Sequence, residues 1–235
     1  MTLNDIRDNW HDSQQAHRLL NQVFISAVND IPTLKAHRDF VENNIWGFGE
    51  RSFHWMHKLI VDEMPQSFSF LEIGVFKGQV LSLYQLLADM AGKTVFRYGV
   101  TPLSTAGGVW ESDYRKDIEV IHDQLDLSKG YTILEGFSTD PAIICQAQQL
   151  QIDVLYIDGG HDYKTVINDF THYLSILKRG GILVVDDCCN NMNLPNGYFA
   201  GHKEVTDATN FIMAGNQDYE FLFNVVHNKV WRKLN

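Results

Sequence analysis

The run Phe68-Ser69-Phe70-Leu71-Glu72-Ile73-Gly74-Val75-Phe76-Lys77-Gly78-Gln79 decides how the rest of the chain is read. Its first half is a continuous, mostly apolar stretch of the kind that a sheet buries on both faces, so a strand is expected over 68–74. A Gly-x-x-x-Gly turn, Gly74 to Gly78, then leads into a helix expected to start near Gln79. Glycines let the backbone approach a ligand there, and free N–H groups at the helix start can meet an anion. The spacing is not the Gly-x-Gly-x-x-Gly of dinucleotide sites, which disfavours a nicotinamide enzyme. Such a turn can also serve only to connect strand and helix tightly.

Downstream, further short apolar runs at 94–100, 131–134, 153–157 and 181–185 alternate with amphipathic stretches, which is the pattern of a parallel sheet with crossover helices. After Asp162, the residues Tyr163, Val166, Ile167, Phe170, Tyr173, Leu174 and Leu177 recur at helical spacing, and Lys178-Arg179-Gly180-Gly181 is expected to stop that helix. At the end of the chain, 219–225 and 229–233 read as two strands around a His227-Asn228 turn. One of them must therefore run against the parallel set. Upstream, Leu19, Leu20, Val23, Phe24 and Ala27 keep a helical period, interrupted by Pro32 and by the Trp46-Gly47-Phe48-Gly49 turn. Residues 1–66 are thus expected to be a helical N-terminal appendage or lid, and 67–235 a Rossmann-like α/β domain.

The 235 residues carry 19 Lys+Arg against 29 Asp+Glu, a net charge of -10, with 45% hydrophobic and 20% charged residues. This composition excludes a disordered chain. The acidic balance and the lack of a basic cluster argue against a nucleic-acid partner. No window reaches the roughly 18 apolar residues of a membrane span, and Asp5, Arg7 and Asp8 stand where a signal peptide needs its apolar stretch. Cys145 and the adjacent Cys188 and Cys189 give no disulfide framework, so a reducing cytoplasm fits.

In open α/β sheets the ligand sits beyond the carboxyl ends of the strands. The fourth predicted strand ends Ile157-Asp158-Gly159-Gly160-His161-Asp162, and the fifth ends Val185-Asp186-Asp187-Cys188-Cys189. Neighbouring strands lie about 4.8 Å apart, which would bring Asp158, Asp186 and Asp187 together. Converging carboxylates need a cation, and oxygen donors suit a hard divalent ion, magnesium first. The alternative is that Asp158 and Asp187 cap the segments that follow. His161, three residues beyond Asp158, is placed to take a proton from a substrate hydroxyl, with His202 in reserve. His54 and His57 read as a packed or solvated pair, and Cys188 and Cys189 as packing residues. Trp46, Phe48, Arg51 and Phe53 either cover the site, build a subunit contact or pack in the core.

Three strings, 70–78, 156–163 (Tyr156-Ile157-Asp158-Gly159-Gly160-His161-Asp162-Tyr163) and 180–187, together resemble the class I S-adenosylmethionine-dependent methyltransferases. More narrowly they are similar to the metal-dependent O-methyltransferase branch that includes macrolide-sugar, catechol and cephalosporin-hydroxylase-like proteins. The likeness spans roughly residues 66–235. It implies a doubly wound seven-stranded sheet of order 3-2-1-4-5-7-6 with strand 7 antiparallel. Glu72, Gly74 and Gly78 would line the cofactor's methionine end, with Gly136, Phe137 and Ser138 near the adenine. Asp158, beside the cofactor, would hold magnesium together with Asp186 and Asp187, and His161 would be the base. One residue departs from the pattern: Thr101 stands where relatives carry a ribose-binding acid, an exchange costing on the order of 1–3 kcal/mol, or tenfold to a hundredfold in affinity. The expected function is divalent-metal-assisted O-methylation of a small hydroxylated molecule, a sugar, polyketide or phenolic natural product, by a cytoplasmic protein that could form a homodimer or higher homo-oligomer. The alternatives are a diverged metal-dependent enzyme on this fold and a non-catalytic binding protein.

Overall fold

A computed structural model describes residues 1–104 and 113–235. Four helices come first: α1 (Leu3–Asn9), α2 (Gln14–Asp30), α3 (Pro32–Asn44) and α4 (Ser52–Glu63). The α/β part follows as β1 (Ser67–Ile73), α5 (Gln79–Ala91), β2 (Thr94–Thr101), α6 (Tyr114–Gln124), β3 (Tyr131–Glu135), α7 (Pro141–Ala147), β4 (Ile152–Ile157), α8 (Tyr163–Tyr173), β5 (Leu177–Val185), α9 (Lys203–Met213), β6 (Tyr219–Val225) and β7 (Asn228–Lys233). The seven strands form one sheet in the order β3-β2-β1-β4-β5-β7-β6. β7 runs antiparallel to both β5 and β6, as the sequence resemblance implies.

Strand alternation divides the core in two. Phe68 and Phe70 of β1, Val154 and Tyr156 of β4, and Ile182 and Val184 of β5 pack on one face, in one cluster with Phe24, Val28, Met56 and Ile60 of the N-terminal helices. Leu71, Ile73, Leu155, Ile157, Leu183 and Val185 pack on the other face against Val166 and Phe170 of α8 and Ala208 of α9. The period of two also places Glu72, two residues after Phe70, on the face of the N-terminal helices. α2 shows why these helices form. Ser13 caps its first turn by accepting from the Ala16 N–H, and His17, Asn21, Phe24 and Val28 recur as its buried stripe. Pro32, expected as an interruption, opens α3, where its missing N–H costs nothing.

Two local expectations shift. α8 ends at Tyr173, a 3₁₀ turn covers Leu174–Ile176, and β5 begins at Leu177, so the Lys178–Gly181 segment belongs to the strand rather than to a helix stop. Lys178 is recruited across the sheet by Asp153, with Nζ 2.8 Å from its carboxylate. The final hairpin turns on Val226 and His227, because Asn228 already pairs with Val225. Among the described residues no helix is long and apolar enough to cross a membrane.

Candidate active site

The carboxyl ends of the central strands step along one edge through backbone hydrogen bonds. Gly136 N donates to Thr101 O (3.0 Å), Gly74 N to Val100 O (3.0 Å), Asp158 N to Ile73 O (2.9 Å) and Asp186 N to Ile157 O (3.0 Å). Gly74 is required where it stands: φ is +98°, and a Cβ there would lie 1.8 Å from the Asp158 carbonyl oxygen. Without a side chain, the β1–α5 turn can lie against the end of β4.

Two cavities open along this edge. One, of about 680 Å³, lies beyond β1, β2, β3 and β4 and is lined by Gly74, Thr101, Gly136, Phe137, Ser138 and Asp158, among others. The second, of about 540 Å³, is bordered by Gly47, Phe48 and Gly49 of the turn before α4 and by Phe53 in α4's first turn, and has Glu72, Tyr156, Asp186, Asp187, His202 and His227 in its walls. Gly74, Phe76, Tyr114, Asp158, Gly159 and His161 line both.

Five of the expected cofactor residues besides Asp158 therefore line the first cavity, but Glu72 and Gly78 do not. Glu72 lies in the second because of the strand alternation described above. Gly78 closes the turn against α6, where an added Cβ would meet Ile118 side-chain carbon at 3.0 Å. Thr101 is buried, and its hydroxyl accepts the Leu103 N–H at 3.1 Å, so it serves the local turn.

At the second cavity Asp186 is held from several sides. Tyr156 Oη donates to Oδ2 at 2.8 Å, and Asn228 Nδ2 and the Asp187 N–H donate to Oδ1 at 2.7 and 2.8 Å. His227 Nε2 lies 3.3 Å from the same Oδ1 and 3.8 Å from Asp187 Oδ1. The other oxygen of Asp187 faces two imidazoles, His161 Nε2 at 3.3 Å and His202 Nε2 at 3.6 Å. Those rings stack, with centroids 4.3 Å apart and planes 19° from parallel. Asp187 itself has φ +57°, a conformation costing on the order of 1–3 kcal/mol that surrounding structure must hold. The hold comes from a bridge between Cys188 and Gly201 and from the His202 N–H donating to Asp187 O at 2.9 Å.

The three aspartates expected to converge do share one field. Burial, then Asp186, Asp187 and Glu72, raise the Asp158 carboxyl well above its ordinary range, and burial together with Asp186 raises Asp187. Among the described residues, donor atoms within reach of a common ion fall into two groups: Asp186, Asp187 and His227, and Asp187, His161 and His202. Asp158 is in neither group, and imidazoles join both. Burial and His202 lower the His161 pKa below its ordinary value, so the ring is neutral at pH 7. Glu72 is pushed up to about 8 by burial, against the pull of the Leu81 N–H, and its Oε2 has no partner.

His54 and His57 are buried in a neutral network, His37 Nδ1 to His54 Nε2 at 2.8 Å and His57 Nδ1 to Tyr84 Oη at 3.1 Å. Cys188 and Cys189 are buried and unbridged. Phe48 and Phe53 border the second cavity, whereas Arg51 pairs with Asp39 at 2.7 Å. The sequence reading did not single out Tyr156, His227 or Asn228 as site residues. A signal existed for the last two, since in a sheet of order 5-7-6 the first residues of an antiparallel β7 must fall beside the carboxyl end of β5.

A methyltransferase-domain family profile matches residues 71–188. An uncharacterized protein of Acanthamoeba polyphaga mimivirus is 31% identical over 175 residues, 72% of this chain and 73% of that one. Among solved structures, an O-methyltransferase from Bacillus cereus in complex with S-adenosylhomocysteine superposes with a TM-score of 0.61 at 12% identity, covering 89% of this chain and 96% of that one. TomG from Streptomyces achromogenes, an O-methyltransferase in complex with S-adenosylmethionine, gives 0.56 at 14% identity, over 87% and 91%. CalS11, a TDP-rhamnose 3'-O-methyltransferase of calicheamicin biosynthesis, gives 0.56 at 14% identity, over 95% and 96%.

Proposed function

The chain belongs to the methyltransferase-domain family, and from that premise we propose that it is an S-adenosylmethionine-dependent O-methyltransferase acting on a small hydroxylated molecule, assisted by a divalent cation. The wall shared by the two cavities carries this reading, because a methyl group held in the first would face an acceptor oxygen held in the second across Gly74, Asp158 and His161. Methyl transfer needs an attacking oxygen in line with the sulfonium–carbon bond, so most of the acceleration comes from positioning. S-adenosylmethionine bound in the first cavity would supply the methyl group and leave as S-adenosylhomocysteine, while neutral His161 is placed to take the acceptor's hydroxyl proton. Asp187, 3.3 Å away, stabilises the imidazolium, and the stacked His202 fixes the ring plane.

A divalent cation fits Asp186, Asp187 and His227. The three side chains are buried, and Tyr156 and Asn228 orient Asp186 as outer partners orient a metal-binding carboxylate. Such an ion would neutralise the acid pair and polarise the acceptor hydroxyl. The imidazole in this set extends the choice from hard ions such as magnesium or manganese to borderline ions such as iron or zinc. The three cysteines are free thiols, which suits a reducing cytoplasm.

The decisive experiment titrates metal-stripped protein calorimetrically with S-adenosylmethionine and S-adenosylhomocysteine, with and without magnesium or manganese. Micromolar cofactor binding is expected. Metal uptake without cofactor binding would refute the proposal and favour a diverged metal enzyme, for which the engaged hydroxyl of Thr101 is the supporting observation.

A further inference from the structure

Resting on the methyltransferase reading, we infer that Tyr114, the first residue of α6, hydrogen-bonds the cofactor's ribose in place of the acid that the sequence resemblance expects where Thr101 stands. The strand order fixes where a ribose would lie. In β3-β2-β1-β4, the end of β2 separates Gly136, Phe137 and Ser138 at the adenine end from Gly74 at the methionine end. Neighbouring strands are about 4.8 Å apart, so a cofactor reaching from β3 to β1 crosses the end of β2 with its ribose.

The end of β2 has little left to offer that sugar. The Thr101 hydroxyl is engaged by the Leu103 N–H at 3.1 Å, Thr101 O by the Gly136 N–H at 3.0 Å, and Val100 O by the N–H groups of Gly74 and Val75 at 3.0 and 3.3 Å. Pro102 has no N–H to give, and Ser104 is exposed.

Tyr114 brings a hydroxyl back to this place. It lines the first cavity together with Thr101 and Pro102, is 4% exposed, and its hydroxyl makes no hydrogen bond among the described residues. A buried phenol usually has a partner, and without one its desolvation is uncompensated until a ligand supplies the bond. The ring is held in place. It meets Phe76 edge to face with centroids 4.9 Å apart, and α6 is anchored by Asp113, which accepts the Lys116 N–H at 3.2 Å, and by Trp46 Nε1, which donates to Asp117 O at 3.2 Å. Burial raises the phenol's pKa, so at pH 7 it keeps its proton and can both donate to and accept from a sugar hydroxyl. Tyr114 also borders the second cavity, so its test is run without any acceptor.

S-adenosylhomocysteine and its 2′-deoxy and 3′-deoxy analogues are titrated calorimetrically into the unmodified protein and into Tyr114→Phe, which keeps the ring and removes only the hydroxyl. Tyr114→Phe should weaken S-adenosylhomocysteine by about three- to tenfold, and at least one deoxy analogue by less than about twofold, because the bond that the variant loses is already missing there. Equal weakening of all three ligands overturns the inference and makes Tyr114 a packing residue. Unchanged affinity for S-adenosylhomocysteine overturns it too and leaves the hydroxyl to the acceptor. Thr101→Val is the companion variant. It should alter the affinities for all three ligands by a common factor, through the turn alone; a loss confined to S-adenosylhomocysteine would return the ribose to Thr101 and overturn the inference. Failure of S-adenosylhomocysteine to bind the unmodified protein is a separate outcome, seen before any variant is made; it refutes the methyltransferase reading and takes this inference with it.

Discussion

Replacing Gly74 by Ala should be among the most damaging single-methyl additions in this protein. A Cβ at this position would lie 1.8 Å from Asp158 O and 2.5 Å from Asp158 C, so the ends of β1 and β4 must part by about 1.6 Å to reach ordinary contact near 3.4 Å. That movement breaks the Asp158 N to Ile73 O hydrogen bond, now 2.9 Å, and, where the turn itself shifts to make room, the Gly74 N to Val100 O bond to β2, now 3.0 Å. Two such bonds are worth about 1–1.5 kcal/mol each, and the positive φ adds about 1–2 kcal/mol for any side chain, so the loss should be about 3–5 kcal/mol. For a chain of this size that corresponds to a fall in Tm of roughly 6–20 °C. Gly180→Ala is the matched control, because its φ is +77° and nothing lies within 4 Å of an added Cβ. It should lose only the conformational part, about 1–2 kcal/mol. Urea unfolding followed by circular dichroism measures both. If the two variants lose stability equally, the close approach of the turn to β4 is not what requires glycine.

Tyr156→Phe should cost about 1.5–3 kcal/mol in urea unfolding, because it removes the donor 2.8 Å from a buried Asp186 oxygen; an unchanged midpoint would mean that this bond carries no net weight. His161→Ala should lower kcat by about 10²–10⁴, read as S-adenosylhomocysteine release, and an unaltered kcat would remove His161 from the proton path. The pH dependence of Glu72 has a definite sign. Its pKa is raised from 4.5 to about 8, so its stabilising contribution is present below pH 4.5 and is lost as pH rises toward 8. The stability of the unmodified protein relative to Glu72→Gln should therefore fall by up to about 1.4 kcal/mol per pH unit across that window. His37 and His57, held near 3 by burial, act in the opposite sense but are common to both proteins and cancel. A difference that does not change with pH would refute the assignment.

Strand by strand, the parallel part of the sheet was legible because burial on both faces leaves continuous apolar runs, and those runs end in the acids that mark the edge. Asp158, Asp186 and Asp187 could be read from local sequence, as could the helix that follows Asp162, whose carboxylate accepts the Thr165 N–H at 3.0 Å. What escaped depends on contacts between distant residues. Lys178 has the local context of a helix stop, and only its partner Asp153 across the strand pair, 25 residues away in sequence, accounts for its place in β5. His227 looked like a turn residue, and only the insertion of β7 beside β5 brings its ring to Asp186, 3.3 Å away. Glu72, which the resemblance puts at the cofactor's methionine end, stands in the pleat on the face shared with Tyr156 and the N-terminal helices. Sequence spacing located the edge but not which side of it each group faces.

The clasp between the first helix and the last hairpin bears on how the protein is made. Arg7 meets Glu220 at 3.0 Å, and Arg232 reaches Asn4 and Glu63 at 2.8 and 2.7 Å, so α1 and α4 are tied to a hairpin more than 150 residues away in sequence. β6, synthesised before β7, has no partner in the sheet until β7 inserts between it and β5. Until residues 228–233 have left the ribosome, β5 is an open strand edge and the helices that precede β1 face an incomplete layer. An edge of that kind is a template for a strand from a neighbouring chain, so β7 is the element that closes the sheet against such pairing.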